Sequence, residues 1–111
     1  ITLLGSCYYH GKGVTKDEKF AFELWSEAAK LGDPQSLAHL GYCYHYGKGI
    51  SKDLKQAVYH YERSVAQGNA HACYNLAICY LEGSGVFKDE KKAMELIFKS
   101  ASYGTPQAFQ W

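Results

Sequence analysis

No run of apolar residues in this chain approaches the roughly 20 needed to span a bilayer, and no basic, apolar, small-residue leader opens it. The segment reads as soluble, with no direct insertion into a membrane. An excess of one charge is lacking as well. Against 12 basic residues stand 11 acidic ones, a net charge of +1, too small a field to hold nucleic acid or an anionic membrane surface. Missing too are the constellations of an enzyme. No Ser/His/Asp, Cys/His or paired-carboxylate arrangement stands out, and there is no S-x-x-K motif, so neither catalysis nor a cofactor is expected.

What is present is enough apolar content, 47% of 111 residues, to build a core, and a repeated sequence. HGKGVTKD at residues 10–17 returns as YGKGISKD at 46–53 and as EGSGVFKD at 82–89. Gly11, Gly47 and Gly83 stand 36 apart, as do Gly13, Gly49 and Gly85, and Gly32, Gly68 and Gly104. The same spacing links Leu4/Leu40/Leu76, Cys7/Cys43/Cys79, Tyr8/Tyr44/Tyr80, Lys16/Lys52/Lys88, Asp17/Asp53/Asp89, Lys19/Lys55/Lys91 and Ala21/Ala57/Ala93. A fixed period of this length marks a tandem array.

Each unit carries two helical patterns. In the middle unit Asp33 caps a first helix, A, with Pro34 at its first position and Leu37, Leu40, Gly41 and Tyr44 on one face. Asp53 caps a second, B, in which Leu54, Ala57, Val58, Tyr61 and Val65 keep helical spacing until Gly68 ends it. Asn69 and Thr105, the latter followed by Pro106, open the next A helices. The expected order is three A–B pairs and a truncated A, in units of about 1–32, 33–68 and 69–104 with a partial 105–111. Small residues, Gly5, Gly41 and Ala77 on A and Ala21, Ala57 and Ala93 on B, are expected where the paired helices cross. Ile1 and Trp111 fall within apolar helical patterns, as in a domain cut from a longer protein.

This pattern resembles the Sel1-like repeat family, relatives of the tetratricopeptide repeats. The middle unit carries the resemblance most fully, with Leu40-Gly41, Tyr44, Gly47, Gly49-Ile50, Asp53, Ala57 and Gly68, and ten positions are identical in all three units. The resemblance spans essentially the whole chain. It implies an all-α fold, a right-handed α-solenoid of antiparallel helix pairs with the A helices lining the concave side. The Gly-x-Gly stretches then join helix to helix, whereas a phosphate loop joins strand to helix through G-x-x-x-x-G-K-[ST]. They read as corners whose glycines take conformations closed to other residues.

Cys7, Cys43 and Cys79 share one register and read as small core side chains. Neighbouring A helices about 10 Å apart keep them beyond the roughly 7 Å that a disulfide allows, so free thiols are expected. In the cysteine-rich secreted branch that the chain resembles, a cysteine late in helix B pairs with one eight residues on. Cys73 matches the second position, but Val65 stands at the first. The missing framework favours a reducing compartment, the cytoplasm, with the ER lumen or secretion as the alternative. It also weakens transfer of that branch's proposed penicillin-binding activity. His10, His39, His45, His60 and His71 share no register and none pairs with cysteines at zinc-ligand spacing, so no metal site is expected.

If Leu37, Leu40 and Tyr44 face inward, Gln35, His39, Tyr42, His45 and Tyr46 turn to the concave side. The equivalent face holds Leu3, Ser6 and Tyr9 in the first unit and His71, Tyr74, Asn75, Ile78 and Glu82 in the third, with Gln110 and Trp111 continuing the stripe. Tyr8, Tyr44 and Tyr80 recur and read as core, while Tyr9, Tyr42, Tyr46 and Tyr74 vary and read as contacts. Asn75 resembles the helix A asparagine with which related repeats clamp a peptide backbone. The mixed charges of the B helices, among them Lys19, Glu23, Glu27, Lys30, Lys91, Lys92, Glu95 and Lys99, read as a solvated convex face.

Three functions are open to such a chain. The first is a non-catalytic adaptor or scaffold holding a partner protein or peptide through Tyr9, His39, Tyr42, His45, Tyr46, His71, Tyr74, Asn75 and Ile78. The resemblance supports it, since relatives act as adaptors in membrane-protein degradation, in cell-cycle or cell-wall signalling and in bacterial contacts with host cells. The second is a rigid spacer or self-assembly segment packing end to end through the outermost A helices. The third, an enzyme, lacks residues to carry it.

Overall fold

A computed structural model describes residues 2–102, and within them six α-helices follow one another: α1 (Thr2–His10), α2 (Glu18–Lys30), α3 (Pro34–Tyr46), α4 (Leu54–Ala66), α5 (Ala70–Glu82) and α6 (Glu90–Ser102). Residue 1, Gly104 and the expected partial helix with Thr105, Phe109, Gln110 and Trp111 lie outside the described residues.

Local chemistry accounts for the boundaries between consecutive helices. The side chains of Asp17, Asp53 and Asp89 accept from the backbone N–H groups of Phe20, Gln56 and Lys92, satisfying donors that the first turn of a helix leaves open. Asp33 and Asn69 do the same for Ser36 and Ala72 at the starts of α3 and α5. The Asp33 carboxyl feels burial, which raises its pKa, but the Thr2 and Ser36 hydroxyls and the Ser36 N–H outweigh it and hold it below the ordinary range. Helix α2 ends with the Gly32 N–H on Ala29 C=O and the Asp33 N–H on Ala28 C=O, and α4 repeats that paired closure at Gly68 and Asn69.

The Gly-x-Gly segments are corners. Gly47 (φ 68°) and Gly83 (φ 70°) close α3 and α5 in the left-handed region, where a Cβ is penalised. Each corner is pinned alike: Tyr8, Tyr44 and Tyr80 C=O accept from the N–H of Asp17, Asp53 and Asp89, so the end of one helix fixes the cap of the next.

The array is an α-solenoid of three antiparallel pairs, α1–α2, α3–α4 and α5–α6, with α2 packing on α3 and α4 on α5 between units. Helices α3 and α5 also touch each other, while no two of α2, α4 and α6 make comparable contact, so the A helices occupy the inner side of the curve. The core sits mainly where the B helix of one unit meets the A helix of the next. Ala21, Trp25 and Ala29 pack with Leu37, Leu40 and Cys43; Val58, Tyr61 and Val65 pack with Cys73, Leu76 and Cys79.

One expectation is refined and another corrected. The glycines of the A helices face aromatic rings, not only alanines: a Cβ at Gly5 would overlap the Trp25 indole, and one at Gly41 the Tyr61 ring. Bare backbone lets a flat ring lie against the helix, which buries more apolar area than an alanine does. Tyr8, Tyr44 and Tyr80 are half-buried at the margin of the core rather than within it. Close to the ends of their helices they lean over helix B, Tyr8 edge-on to Phe20 at 4.6 Å and Tyr44 stacked on His60 at 5.4 Å.

Candidate functional site

The inner side of the array is built from α1, α3 and α5, and rings of α1, α2 and α3 form a continuous series along part of it. His39 stacks on Trp25 with centroids 4.1 Å apart. Tyr9 lies 5.5 Å from Trp25 and 6.3 Å from Tyr42; Tyr42 lies 4.8 Å from Tyr46, which stacks on His45 at 4.3 Å. Trp25 anchors the series, its indole N–H donating to Thr2 C=O at 3.0 Å and its ring almost wholly buried.

Tyr9, His10, Trp25, His39 and Tyr42 enclose a cleft of about 270 Å³ where α1, α2 and α3 meet. The His39 imidazole in its wall is neutral at physiological pH. Burial, then the nearby His71 and His10, hold the His39 imidazole down to about 3 against the opposing pull of Asp33. Burial also raises the Tyr9 hydroxyl, assisted by its hydrogen bond with Tyr42. Rings that stay uncharged and keep a polar edge suit a chain segment presenting both apolar and hydrogen-bonding surface.

Of the residues expected on this face, Tyr9, His39 and Tyr42 come together in the cleft, and Tyr46 is 47% exposed. Tyr74, His71 and Ile78 are half-buried on α5, and Tyr46 is close enough to Tyr74 to feel it electrostatically. His45 and Asn75 do not belong to the open face and are corrected here: both are buried. His45 follows Gly41 by one helical turn and so turns toward Tyr61, whose hydroxyl lies 3.3 Å from Nδ1. Asn75 sits at the register of His39, the position that abuts the preceding unit. Its Nδ2 is buried with no partner among the described residues.

His45, Tyr61 and Cys79 form an internal cluster, with Cys79 Sγ 3.9 Å from Nδ1 of His45. Proximity of a thiol and an imidazole invites a catalytic reading, but the chemistry opposes it. Burial pushes the Cys79 thiol up to about 12, with Glu82 adding to the effect, and burial lowers the His45 imidazole. Thiol and imidazole therefore both stay neutral, and a neutral, fully buried thiol is a poor nucleophile. Cys43 is likewise held up at about 12, and all four cysteines are free. Val65 and Cys73, the positions compared with the cysteine-rich branch, share one apolar cluster. No group of three or more His, Cys, Asp or Glu among the described residues is placed to hold a metal ion.

Trp25 escaped the sequence reading, which weighs His10 only as a metal ligand. Trp25 could have been found from its register: positions 25, 61 and 97 carry Trp, Tyr and Ile, opposite Gly5, Gly41 and Ala77, so ring size on B tracks the missing Cβ on A. The charged residues expected on the convex side, Lys19, Glu23, Glu27, Lys30, Lys91, Lys92, Glu95 and Lys99, are all exposed.

The family model for the Sel1 repeat matches residues 1–33, 34–69 and 70–104. Among solved structures, a Sel1 repeat protein from Oxalobacter formigenes superposes with a TM-score of 0.86 at 32% identity, over 96% of this chain and 44% of that one. A protective antigen present in uropathogenic Escherichia coli strains, displaying an SLR fold, gives 0.88 at 32% identity over 96% of this chain and 23% of its own. Cysteine rich protein B of Helicobacter pylori gives 0.75 at 28% identity over 83% and 69%. This chain thus spans less than half the length of the first two. Among curated protein sequences none matches it.

Proposed function

The chain belongs to the Sel1 repeat family, and on that premise we propose that its inner face holds a segment of a partner protein, making it a non-catalytic adaptor or scaffold module. Sel1 repeats mediate protein–protein interaction, and their family is typically a scaffold rather than an enzyme. The observation that carries the reading here is the cleft of Tyr9, His10, Trp25, His39 and Tyr42, continued by Tyr46. Tyrosine rings lose little conformational freedom on binding and offer both an apolar face and a hydroxyl, which is why such residues concentrate binding energy at interfaces. No helix among the described residues is long and apolar enough to cross a membrane. The four free cysteines support a reducing compartment, the cytoplasm, as the place of action.

The test is capture from a matching cell extract by the wild-type chain beside a Tyr42→Ala, Tyr74→Ala variant of equal helicity. A protein retained by the wild type and lost by the variant is the expected result, and equal capture by both overturns the reading.

A second reading, end-to-end self-association, draws on the exposed apolar side chains of the outermost described helices, Leu3 and Leu4 on α1 and Met94 and Phe98 on α6. It requires the sedimentation coefficient to rise with concentration and Leu4→Glu to abolish the rise; a concentration-independent monomer excludes it.

A further inference from the structure

The charges of the array are distributed unevenly. Helices α1, α3 and α5, which form the inner face, contain no lysine, arginine or aspartate and a single glutamate, Glu82. The lysines and the one arginine of the described residues are all on the B helices and the corners. Within these three helices the one residue of fixed formal charge is therefore Glu82, and Lys52, in the corner after α3, acts on His45 together with it.

The position of Glu82 also breaks a local rule. Glu82 is the last residue of α5, where a carboxylate meets the negative end of the helix dipole, an unfavourable position. The equivalent residues of the other units are His10 and Tyr46, and the corners that follow carry Lys12 and Lys48 where the third unit has Ser84. The third unit has gained an anion and lost a cation within three residues. Among the described residues Glu82 makes no ion pair, and its hydrogen-bond donor is the Ser84 hydroxyl at 3.5 Å. A local preference broken without an internal compensation points to a partner outside the chain.

The carboxylate occupies on α5 the position that Tyr46 occupies on α3, the A helix that α5 touches. Tyr46, half exposed, is raised in pKa by burial first and next by Glu82, then by Tyr42, with Tyr74 also acting, so all four groups share one neighbourhood. The Tyr42 and Tyr46 rings lie 4.8 Å apart, tilted by 50° rather than stacked. Negative ring faces beside a carboxylate are the surroundings that a solvated cation accepts in exchange for water.

We propose that this end of the inner face receives a basic side chain, lysine or arginine, of the bound partner segment, with the cation against Tyr42 and Tyr46 and paired with Glu82. The proposal deepens the docking reading and rests on it. It makes the partner segment basic at one position, opposite in sign to the Glu82 carboxylate, which makes no ion pair among the described residues.

The experiment is selection of a random twelve-residue peptide library on the immobilised chain, counter-selected on the Tyr42→Ala, Tyr74→Ala variant, followed by affinity measurement of the winning peptides. The expected peptides carry arginine or lysine at one position; replacing it with glutamine weakens binding about tenfold, and Glu82→Gln weakens the parent peptide about threefold while leaving the glutamine peptide unchanged. Peptides that need the tyrosines but bind equally without a basic residue, or to Glu82→Gln, overturn the cation site and leave the docking face standing. If no peptide depends on the tyrosines, the docking face falls and the cation site with it.

Discussion

Gly41 on α3 lies so close to the Tyr61 ring on α4 that a single added carbon would overlap Cδ1 and Cε1 of the ring. The first unit repeats the relation with Gly5 and Trp25, and the third carries Ala77 opposite the narrower Ile97. Helix spacing within each pair is thus set by matching one side chain to the absence of another.

Gly41→Ala should destabilise the array by about 1–3 kcal/mol, even though alanine is the better helix former by about 1 kcal/mol. Combining it with Tyr61→Ile, which recreates the Ala77–Ile97 pair, should recover part of the loss. Urea unfolding of both single variants and the double variant measures the coupling; strictly additive effects would remove the steric explanation.

Corner glycines separate backbone strain from stacking between units. Gly13 and Gly49 share nearly the same φ, 77° and 78°, but a Cβ at Gly13 meets nothing within 4 Å, whereas at Gly49 it would strike the Glu18 carbonyl of the preceding unit. Gly13→Ala should lose only the left-handed penalty of about 1 kcal/mol, and Gly49→Ala about 1 kcal/mol or more beyond it. Thermal unfolding of the two variants side by side reads the difference.

Acidification should unfold the array before its carboxylates titrate. His39 is held at about 3, and burial also lowers His45 and His60, all against an ordinary value of 6.5. Below about pH 6.5 the unfolded chain takes up protons that the native chain refuses, so stability is full above that value. It falls as pH drops toward the folded pKa values, by up to about 1.4 kcal/mol per pH unit for His39, with His45 and His60 adding in the same direction. Urea midpoints between pH 7.5 and 4.5 should decline, and His39→Gln should flatten the decline.

Thiol labelling should be graded by burial. Cys7 is half-buried, whereas Cys43, Cys73 and Cys79 are buried with raised thiol pKa values. Under native conditions a thiol reagent should modify Cys7 first and the other three only as fast as the array opens. Mass-resolved labelling in increasing urea follows the order.

The period, the caps at Asp33, Asp53 and Asn69, the corners and the free cysteines were legible because each depends on residues close in sequence. The inner face was legible only in part. Its reading treated helix A as two-sided, but α5 is touched by its own partner, by the preceding unit and by α3, and it buries Ala72, Cys73, Asn75, Leu76, Ala77 and Cys79 almost all round. One turn of such a helix holds few outward positions, so spacing alone could not tell His45 from Tyr42 and Tyr46 on α3, or Asn75 from Tyr74 on α5. Trp25 was missed for a related reason: it belongs to a B helix and reaches the cleft from between units.

The measurement that tests the docking face most directly is site-specific crosslinking with a photoreactive phenylalanine in place of Tyr46 on the inner face or Tyr59 on the outer side of α4, two tyrosines of similar exposure at 47% and 52%. In a matching cell extract a discrete adduct should form from position 46 and be absent from position 59. An adduct from position 59 alone, or equal adducts from both, would contradict the assignment of the A-helix face as the surface that binds.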